Sequence, residues 1–118
     1  PAAAPVVVEA NKGQLQQVFL NLALNAIQAM PHGGALTVRL TAATGVVHVD
    51  FTDTGAGIPD SIRPRIFESF LSGRAGGTGL GLAIAQRIVK DHHGDLVLVA
   101  SGDTGTTMRV TLPVAAAR

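Results

Sequence analysis

Four short segments of this sequence alternate apolar with polar residues, and they form two consecutive pairs. The segments are 36–41, 47–51, 96–100 and 108–112. A short turn containing glycine joins the two members of each pair, so each pair predicts a β-hairpin. Strict alternation gives a strand only one apolar face. A sheet of such strands therefore requires a second layer of structure to cover that face.

Residues 14–30 have the periodicity of a helix that could supply this layer, and they contain no charged side chain. Besides the main apolar face, Leu20, Leu24 and Ile27 form a second apolar strip. Between the two lies a narrow stripe of amides alone: Gln14, Gln17, Asn21, Asn25 and Gln28. A stripe facing water would normally contain Lys and Glu. The amide stripe therefore suits either contact with a polar ligand or a partly buried helix whose amides are satisfied internally.

Residues 79–92 form a second predicted helix. Its predicted buried arc consists of Leu80, Ile84, Ala85, Ile88 and Val89, while Gln86, Arg87 and Lys90 face outward. Two long helices and two one-faced hairpins predict an α+β fold. Its architecture would be a two-layer α/β sandwich, with a mixed, mainly antiparallel sheet and helices on one face.

Composition places the chain among folded single domains. Of its 118 residues, 47% are hydrophobic and 14% charged, which is enough apolar material for one core. A net charge of +1 argues against a surface for nucleic acid or anionic membranes. The absence of cysteine excludes disulfides, thiolate zinc sites and a cysteine nucleophile. The longest apolar stretch, 18–27, is shorter than the ~20 residues that a membrane helix needs. We predict a linker at 1–5, the domain at 6–113 and a tail at 114–118.

Two glycine-containing segments are candidates for ligand contact. Residues 53–59, Asp-Thr-Gly-Ala-Gly-Ile-Pro, fit either a tight turn or a fixed carboxylate at a strand end, beside glycines that let a flat ligand approach the backbone. Residues 76–82, Gly-Gly-Thr-Gly-Leu-Gly-Leu, precede the second helix, where free N–H groups favour phosphate oxygens. They lack the GxGxxG spacing, and the chain has no Gly-Lys pair of a P-loop. Alone, this segment also fits a flexible linker.

The order of these features resembles the GHKL ATPase superfamily of gyrase, Hsp90, histidine kinases and MutL. Within it, residues 6–113 are most similar to the catalytic ATP-binding domain of two-component sensor histidine kinases. The matching segments are 21–26 (N box), 53–57 (G1 box), 66–70 (F box), 77–82 (G2 box) and 105–107 (last glycine motif). Residues 72–74, Ser-Gly-Arg, are most similar to those of nitrogen-regulation-type kinases.

The resemblance implies a Bergerat-type ATP-binding fold and assigns roles to the matching residues. Asp53 would accept a hydrogen bond from the adenine amino group, and Asn25 would place its amide oxygen on a Mg²⁺ ion that bridges the phosphates. Asn21 would face the phosphates or the metal's water molecules, so Asn21 and Asn25 are the implied catalytic residues. The implied nucleotide-binding residues are Asn25, Asp53, Gly55, Gly57, Ile58, Phe67, Arg74, Gly77, Thr78, Gly79, Leu80, Gly81, Leu82 and Thr106. Residues 60–75 would form a mobile lid packed by Phe67 and Phe70.

The resemblance also separates a kinase from a hydrolase. Hydrolysing members carry a Glu four residues before the metal-binding Asn, and here that position is Asn21, which cannot act as a base. We therefore expect phosphoryl transfer to a positioned acceptor and slow intrinsic hydrolysis. None of the four histidines is followed by an acidic residue. The acceptor histidine is therefore expected to be absent from this chain.

The expected function is that of an ATP-dependent protein-histidine kinase, catalytic domain only, with ATP and Mg²⁺ as cofactors. The implied partners are a phosphoacceptor helical-hairpin domain of the same or a sister chain and a downstream response regulator. Nucleic acid and direct membrane insertion of this segment are not expected, and the implied location is the cytoplasm. One alternative is a protein-serine kinase of the anti-sigma type, a group that typically lacks the F-box phenylalanines. The other is a degenerate nucleotide-binding regulatory module, against which the intact Asn25, Asp53 and G2 glycines count.

Overall fold

The computed structural model describes residues 8–68 and 81–115. These ranges contain α1 (Lys12–Gln28), β1 (Leu36–Ala43), β2 (Val46–Asp53), a 3₁₀ turn (Arg63–Arg65), α2 (Gly81–Asp91), β3 (Asp95–Gly102) and β4 (Gly105–Pro113). The strands form a sheet in the order β1-β2-β4-β3, and every pair in the described ranges is antiparallel. Both helices pack on the same face of this sheet. The predicted α+β two-layer sandwich is confirmed.

Helix α1 begins at a capping asparagine and buries the apolar face that its periodicity predicts. The Asn11 Oδ1 accepts a hydrogen bond from the Gln14 N–H at 3.0 Å. The buried residues of the helix are Val18, Leu22 and Ala26. The second apolar strip lies on the solvent side, where Leu20, Leu24 and Ile27 are 53%, 45% and 56% exposed. Within the described ranges, neither helix is both long and apolar enough to cross a membrane.

Strands β2 and β4 lie at the centre of the described sheet, and their side chains alternate between a buried inner face and a half-buried outer face. The inner residues are Val47, Val49, Phe51, Met108, Val110 and Leu112. On the outer face, the Thr52 Oγ1 lies 3.0 Å from the Thr107 Oγ1, and the His48 Nδ1 lies 2.8 Å from the Thr111 Oγ1. Polar pairs of this kind across neighbouring strands let the outer face meet water.

A bidentate ion pair also crosses β2 and β4 on the outer face. The Arg109 guanidinium donates hydrogen bonds to both carboxylate oxygens of Asp50, at 2.8 and 3.0 Å. The hydrogen bond from Arg109 lowers the pKa of Asp50 from its ordinary value, and the bond to Asp50 raises the pKa of Arg109. The ionised carboxylate of Asp50 is therefore favoured in the folded protein.

Strand β1 is an edge of the described sheet, and most of its residues are exposed. Val38 and Leu40 pair with Phe51 and Val49 and share their inner face, yet they are 49% and 64% exposed. Helix α1 packs mainly over β2 and only slightly over β1, and α2 packs mainly over β3, so Val38 and Leu40 stay exposed. The prediction that the first hairpin buries one face is confirmed for β2 and wrong for β1. The predicted burial of Ile84 on α2 is also wrong, since this residue is 42% exposed.

Helix α2 ends in a left-handed residue followed by glycine. His93 has a φ of 64°, and the Gly94 N–H donates to the Val89 carbonyl oxygen at 2.9 Å. This bond satisfies a carbonyl group in the last turn of the helix. The His93-Gly94 pair therefore closes α2.

Candidate functional site

The carboxylate of Asp53 lies at the end of β2 and is only 4% exposed. Its Oδ1 accepts a hydrogen bond from the Gly55 N–H at 2.9 Å, which fixes its orientation. Gly55 has no room for a side chain, because a Cβ there would lie 2.8 Å from the Ala29 Cβ near the end of α1. The turn at 53–57 thus holds a fixed, buried acceptor, and the bond from Gly55 is also the tight turn that an Asp favours, so both interpretations of this segment describe the structure.

The hydroxyl of Ser101 joins this turn to β4. The Ser101 Oγ accepts a hydrogen bond from the Ile58 N–H at 2.8 Å and lies 2.9 Å from the Thr106 Oγ1. Thr106 is 2% exposed and is the cross-strand partner of Asp53. Asp53, Ser101 and Thr106 all line one shallow depression of about 310 Å³ at this end of the sheet, which the outer-face residues Thr52 and Thr107 also line.

Ser101 is a site residue that the sequence analysis missed. It follows directly on the alternating segment 96–100, and the hairpin pairing places it opposite Thr106. That pairing was the available signal, because the short glycine-containing turn predicted between segments 96–100 and 108–112 brings these two residues together.

The amide stripe of α1 meets the start of α2 at Asn21. The Asn21 Nδ2 donates to the Gly81 carbonyl oxygen at 3.1 Å, and the Asn21 Oδ1 accepts from the Gln17 Nε2 at 2.7 Å. Both ends of the Asn21 amide are therefore engaged within the protein. Gln17 is a second residue whose part in the site the sequence analysis did not identify, although it belongs to the predicted stripe.

Asn25 lies between two contacts that join α1 to the rest of the site. One turn before it, Asn21 bonds to Gly81, and one turn after it the Ala29 carbonyl oxygen accepts a hydrogen bond from the Ala56 N–H at 3.4 Å. Asn25 itself is half-buried. Residue 25 thus lies between the start of α2 and the turn that carries the buried carboxylate.

Some of the remaining predicted nucleotide-binding and lid residues lie within the described ranges, and the others lie outside them. Gly81 and Leu82 open α2, and Phe67 packs half-buried against the core. Gly57 has a φ of 82° and packs against Gly102. Outside the described residues lie Phe70, Arg74, Gly77, Thr78, Gly79 and Leu80. In the described part of the predicted lid, the Arg63 Nε donates to the Ile58 carbonyl oxygen at 3.0 Å.

Acidic metal clusters are absent from the described ranges. In residues 8–68 and 81–115, no group of three or more His, Cys, Asp or Glu could hold a metal ion.

The model of the Histidine kinase-, DNA gyrase B-, and HSP90-like ATPase family matches residues 10–116. The chain belongs to this family. It is 36% identical to Sporulation kinase A of Bacillus subtilis over 108 residues, which cover 92% of this chain and 18% of the kinase. It is 39% identical to the C4-dicarboxylate transport sensor protein DctS of Rhodobacter capsulatus over 111 residues, which cover 91% of this chain and 17% of DctS. The chain thus spans less than a fifth of these relatives' length.

Solved structures of histidine kinases share the fold of this ATPase domain. The mycobacterial sensor histidine kinase MprB is 34% identical with a TM-score of 0.82, over 93% of this chain and 76% of that chain. Full-length ShkA in complex with AMPPNP is 31% identical with a TM-score of 0.83, over 98% of this chain and 24% of that chain. The relatives include sporulation kinases, DctS, ZraS and FixL, so the predicted likeness to nitrogen-regulation-type kinases is not confirmed.

Proposed function

We propose that this domain binds Mg²⁺-ATP and donates the γ-phosphate to a histidine on a separate phosphoacceptor domain, as the catalytic part of a two-component sensor kinase. The observation that carries the proposal is the buried carboxylate of Asp53, oriented by the Gly55 N–H at 2.9 Å. A buried, fixed acceptor strongly rejects ligands that cannot donate to it. The sensor and sporulation kinases among the relatives support the same function.

The edge of the purine ring explains how such a site would select ATP. Adenine presents its amino donor next to ring nitrogen N1, which accepts a hydrogen bond. Guanine presents a carbonyl at the same place, next to an N1–H that donates. The Asp53 carboxylate can only accept, so it complements the adenine amino group. The Thr106 hydroxyl on the neighbouring strand can donate to the ring nitrogen, directly or through water. Guanine would set its carbonyl oxygen against the Asp53 carboxylate and bind more weakly.

Asn25 is the proposed metal ligand. Its amide oxygen is a hard donor of the kind that Mg²⁺ prefers, and one protein ligand suffices where phosphates and water supply the others. When bound, the ion would neutralise negative charge on the phosphates. The chain's own contribution is to hold α1 on both sides of Asn25, through the Asn21–Gly81 and Ala29–Ala56 contacts.

The other predicted residues complete the proposed nucleotide site. Gly77, Gly79 and Gly81 would let the backbone approach the triphosphate, with its N–H groups directed at the phosphate oxygens. Arg74 would offer a fork of donors to the same oxygens. The proposed contacts also include Gly55, Gly57, Ile58, Phe67, Thr78, Leu80 and Leu82.

Phosphoryl transfer is proposed over hydrolysis because residue 21 is an amide. An amide cannot take a proton from water, and both ends of the Asn21 side chain already bond to Gln17 and Gly81. Nor is His48 or His92 suited to act as an acceptor, since His48 bonds to Thr111 and His92 bonds to backbone. The proposed acceptor is therefore a histidine on a helical hairpin of the same or a sister chain. A response regulator would receive the phosphate next, in the cytoplasm.

Calorimetric titration tests the nucleotide site, because the chain has no Trp or Tyr to report binding by fluorescence. The key variant is Asp53→Ala, and its matched control is Asp50→Ala, which makes the same change on the opposite face of β2. We expect Mg²⁺-ATP to bind the wild type and the control. Asp53→Ala should lose at least about tenfold in affinity, as expected for a hydrogen bond to a charged group. No binding of Mg²⁺-ATP to the wild type at millimolar concentration would contradict the proposal.

A transfer assay with a supplied histidine-bearing hairpin and γ-labelled ATP tests the reaction. Acid-labile phosphohistidine on the hairpin is the expected product. Acid-stable phosphoserine on a partner would favour a serine kinase of the anti-sigma type. Binding of ATP without transfer to any acceptor would favour a regulatory module.

A further inference from the structure

We propose that Ser101 is a positioning residue for purine recognition: it orients the Thr106 hydroxyl and holds the 55–58 turn over the buried carboxylate of Asp53. This inference rests on the proposed nucleotide site and extends it to a residue that would not itself touch the nucleotide. Ser101 bonds at once to the turn, through the Ile58 N–H at 2.8 Å, and to β4, through the Thr106 Oγ1 at 2.9 Å.

The count of hydrogens in this cluster leaves one available for a ligand. The Ile58 N–H donates to the Ser101 Oγ, and one hydroxyl hydrogen lies in the bond between Ser101 and Thr106. Each hydroxyl has a single hydrogen, so one of the two remains uncommitted within the cluster. When the Ser101 hydroxyl donates its hydrogen to the Thr106 oxygen, the hydrogen of the Thr106 hydroxyl is free to form a hydrogen bond with an acceptor on the ligand. The adenine ring nitrogen is such an acceptor, whereas the matching N–H of hypoxanthine or guanine is not.

The position of Thr106 makes this orientation relevant to recognition. Thr106 and Asp53 are directly paired across β4 and β2, and their side chains are 2% and 4% exposed. One residue presents a hydroxyl and the other a carboxylate on the same inner face of the sheet. The Ser101 hydroxyl is a hydrogen-bond partner of the Thr106 hydroxyl, so losing it frees the Thr106 hydroxyl to rotate.

The same serine fixes the turn that orients the carboxylate. Gly55 donates to Asp53, and three residues later Ile58 donates to Ser101. Between them, Gly57 packs so closely on Gly102 that a Cβ would collide with the Gly102 carbonyl oxygen. The turn is thus anchored to β2 at one end and to the β3–β4 hairpin at the other. Removing the Ser101 hydroxyl removes the second hydrogen-bonded anchor.

The test compares Ser101→Ala with two other variants by calorimetry. Ser101→Thr keeps the hydroxyl. Thr111→Val is the matched control: it removes a half-buried hydroxyl of β4 that bonds to His48 at 2.8 Å on the outer face, away from the site. The ligands are Mg²⁺-ATP and Mg²⁺-inosine triphosphate, which presents a carbonyl and an N–H where adenine presents an amino group and a bare nitrogen.

We expect Ser101→Ala to lower the affinity for Mg²⁺-ATP about tenfold, which is the scale of one hydrogen bond. The affinity for Mg²⁺-inosine triphosphate should change less than about twofold, because its N1–H gains nothing from a donating Thr106 hydroxyl. Discrimination between the ligands then falls about tenfold. Ser101→Thr should restore most of it, and Thr111→Val should leave it unchanged. A merely structural serine would lower the melting temperature of Ser101→Ala while leaving the ratio of the two affinities unchanged, and that result would overturn the proposal.

A second variant, Thr106→Val, keeps the proposal testable if Ser101→Ala folds poorly, and a double-mutant cycle adds a further test where Ser101→Ala folds. Thr106→Val alone should cause the same loss of discrimination, and adding it to Ser101→Ala should cause little more, because the two hydroxyls act as one unit. Independent, additive losses would contradict the proposal. A wild type that binds no Mg²⁺-ATP would instead overturn the proposed function itself, and this inference with it. A wild type that prefers ATP while Ser101→Ala keeps that preference would overturn this inference alone.

Discussion

The imidazole of His92 links the end of α2 to the beginning of α1: its Nε2 accepts a hydrogen bond from the Asn11 backbone N–H at 3.0 Å, across 81 residues of sequence. The Nδ1 lies 2.8 Å from the Ile88 carbonyl oxygen, so Nδ1 carries the hydrogen and Nε2 presents the lone pair. The first N–H groups of a helix have no partner within that helix. At the N-cap of α1, His92, the residue that follows α2, supplies an acceptor for one of these groups.

Replacing this histidine should destabilise the domain. We expect His92→Leu to lower the free energy of unfolding by about 1 kcal/mol, because the Asn11 N–H loses its acceptor. Urea denaturation at pH 7 measures the effect. The matched control is His32→Leu, which makes the same change at an exposed histidine after α1. Equal stability of the two variants would show that the bond between the helices contributes nothing.

Two glycines with similar backbone angles should respond differently to alanine. Gly57 and Gly33 have φ values of 82° and 94°, but a Cβ on Gly33 would have no neighbour within 4 Å, whereas one on Gly57 would collide with Gly102. Gly33→Ala should therefore cost about 1 kcal/mol of stability, from the left-handed backbone alone. Gly57→Ala should cost a further ~1–3 kcal/mol from the collision and weaken Mg²⁺-ATP binding. The checks are urea denaturation and titration. If the two variants behaved alike, the close packing of the turn on the hairpin would be irrelevant.

The ion pair between Asp50 and Arg109 should make stability depend on pH in acid. The bond from Arg109 lowers the pKa of Asp50 in the folded protein below the ordinary 3.8. Stability from this carboxylate is therefore fully present above about pH 5 and is lost as the pH falls through the folded value. Asp50→Asn should cost about 1 kcal/mol or less at pH 7, because water partly screens the pair, and progressively less as the pH falls through the folded-state pKa of Asp50. Urea denaturation across this range gives the difference, and a difference that grew in acid would contradict the assignment.

The Asn21 side chain should not tolerate a carboxylate. In Asn21→Asp the donor to the Gly81 carbonyl oxygen becomes an acceptor, and two oxygens would face each other at a contact now measuring 3.1 Å. We expect a loss of about 1–3 kcal/mol of stability and weaker binding of Mg²⁺-ATP. Gln16→Glu, an amide-to-acid change at an exposed position of α1, should change neither. Denaturation and titration of both variants decide the point. Unchanged stability in Asn21→Asp would mean that the contact between the helices is dispensable.

Local patterns determined much of this domain. Alternation of period two predicts all four strands, and because successive side chains point to opposite faces it also predicts that Val49 and Phe51 lie inside while Asp50 lies outside. Helical periodicity predicts both helices and the buried face of α1. The resemblance of the glycine motifs singled out Asp53 and Thr106, which the fold then pairs across two strands.

Tertiary packing decided the rest. Val38 and Leu40 carry the same alternation as the buried strands, yet they are exposed, because burial depends on where the helices lie over the sheet and not on the strand's own pattern. The hydrogen bonds of Ile58 to Ser101, Asn21 to Gly81 and Asn11 to His92 join residues 43, 60 and 81 positions apart. Periodicity indicates which face of an element a side chain occupies. It does not indicate a hydrogen-bond partner so far along the chain, because that partner is fixed only when the layers pack together and each buried polar group requires a hydrogen bond.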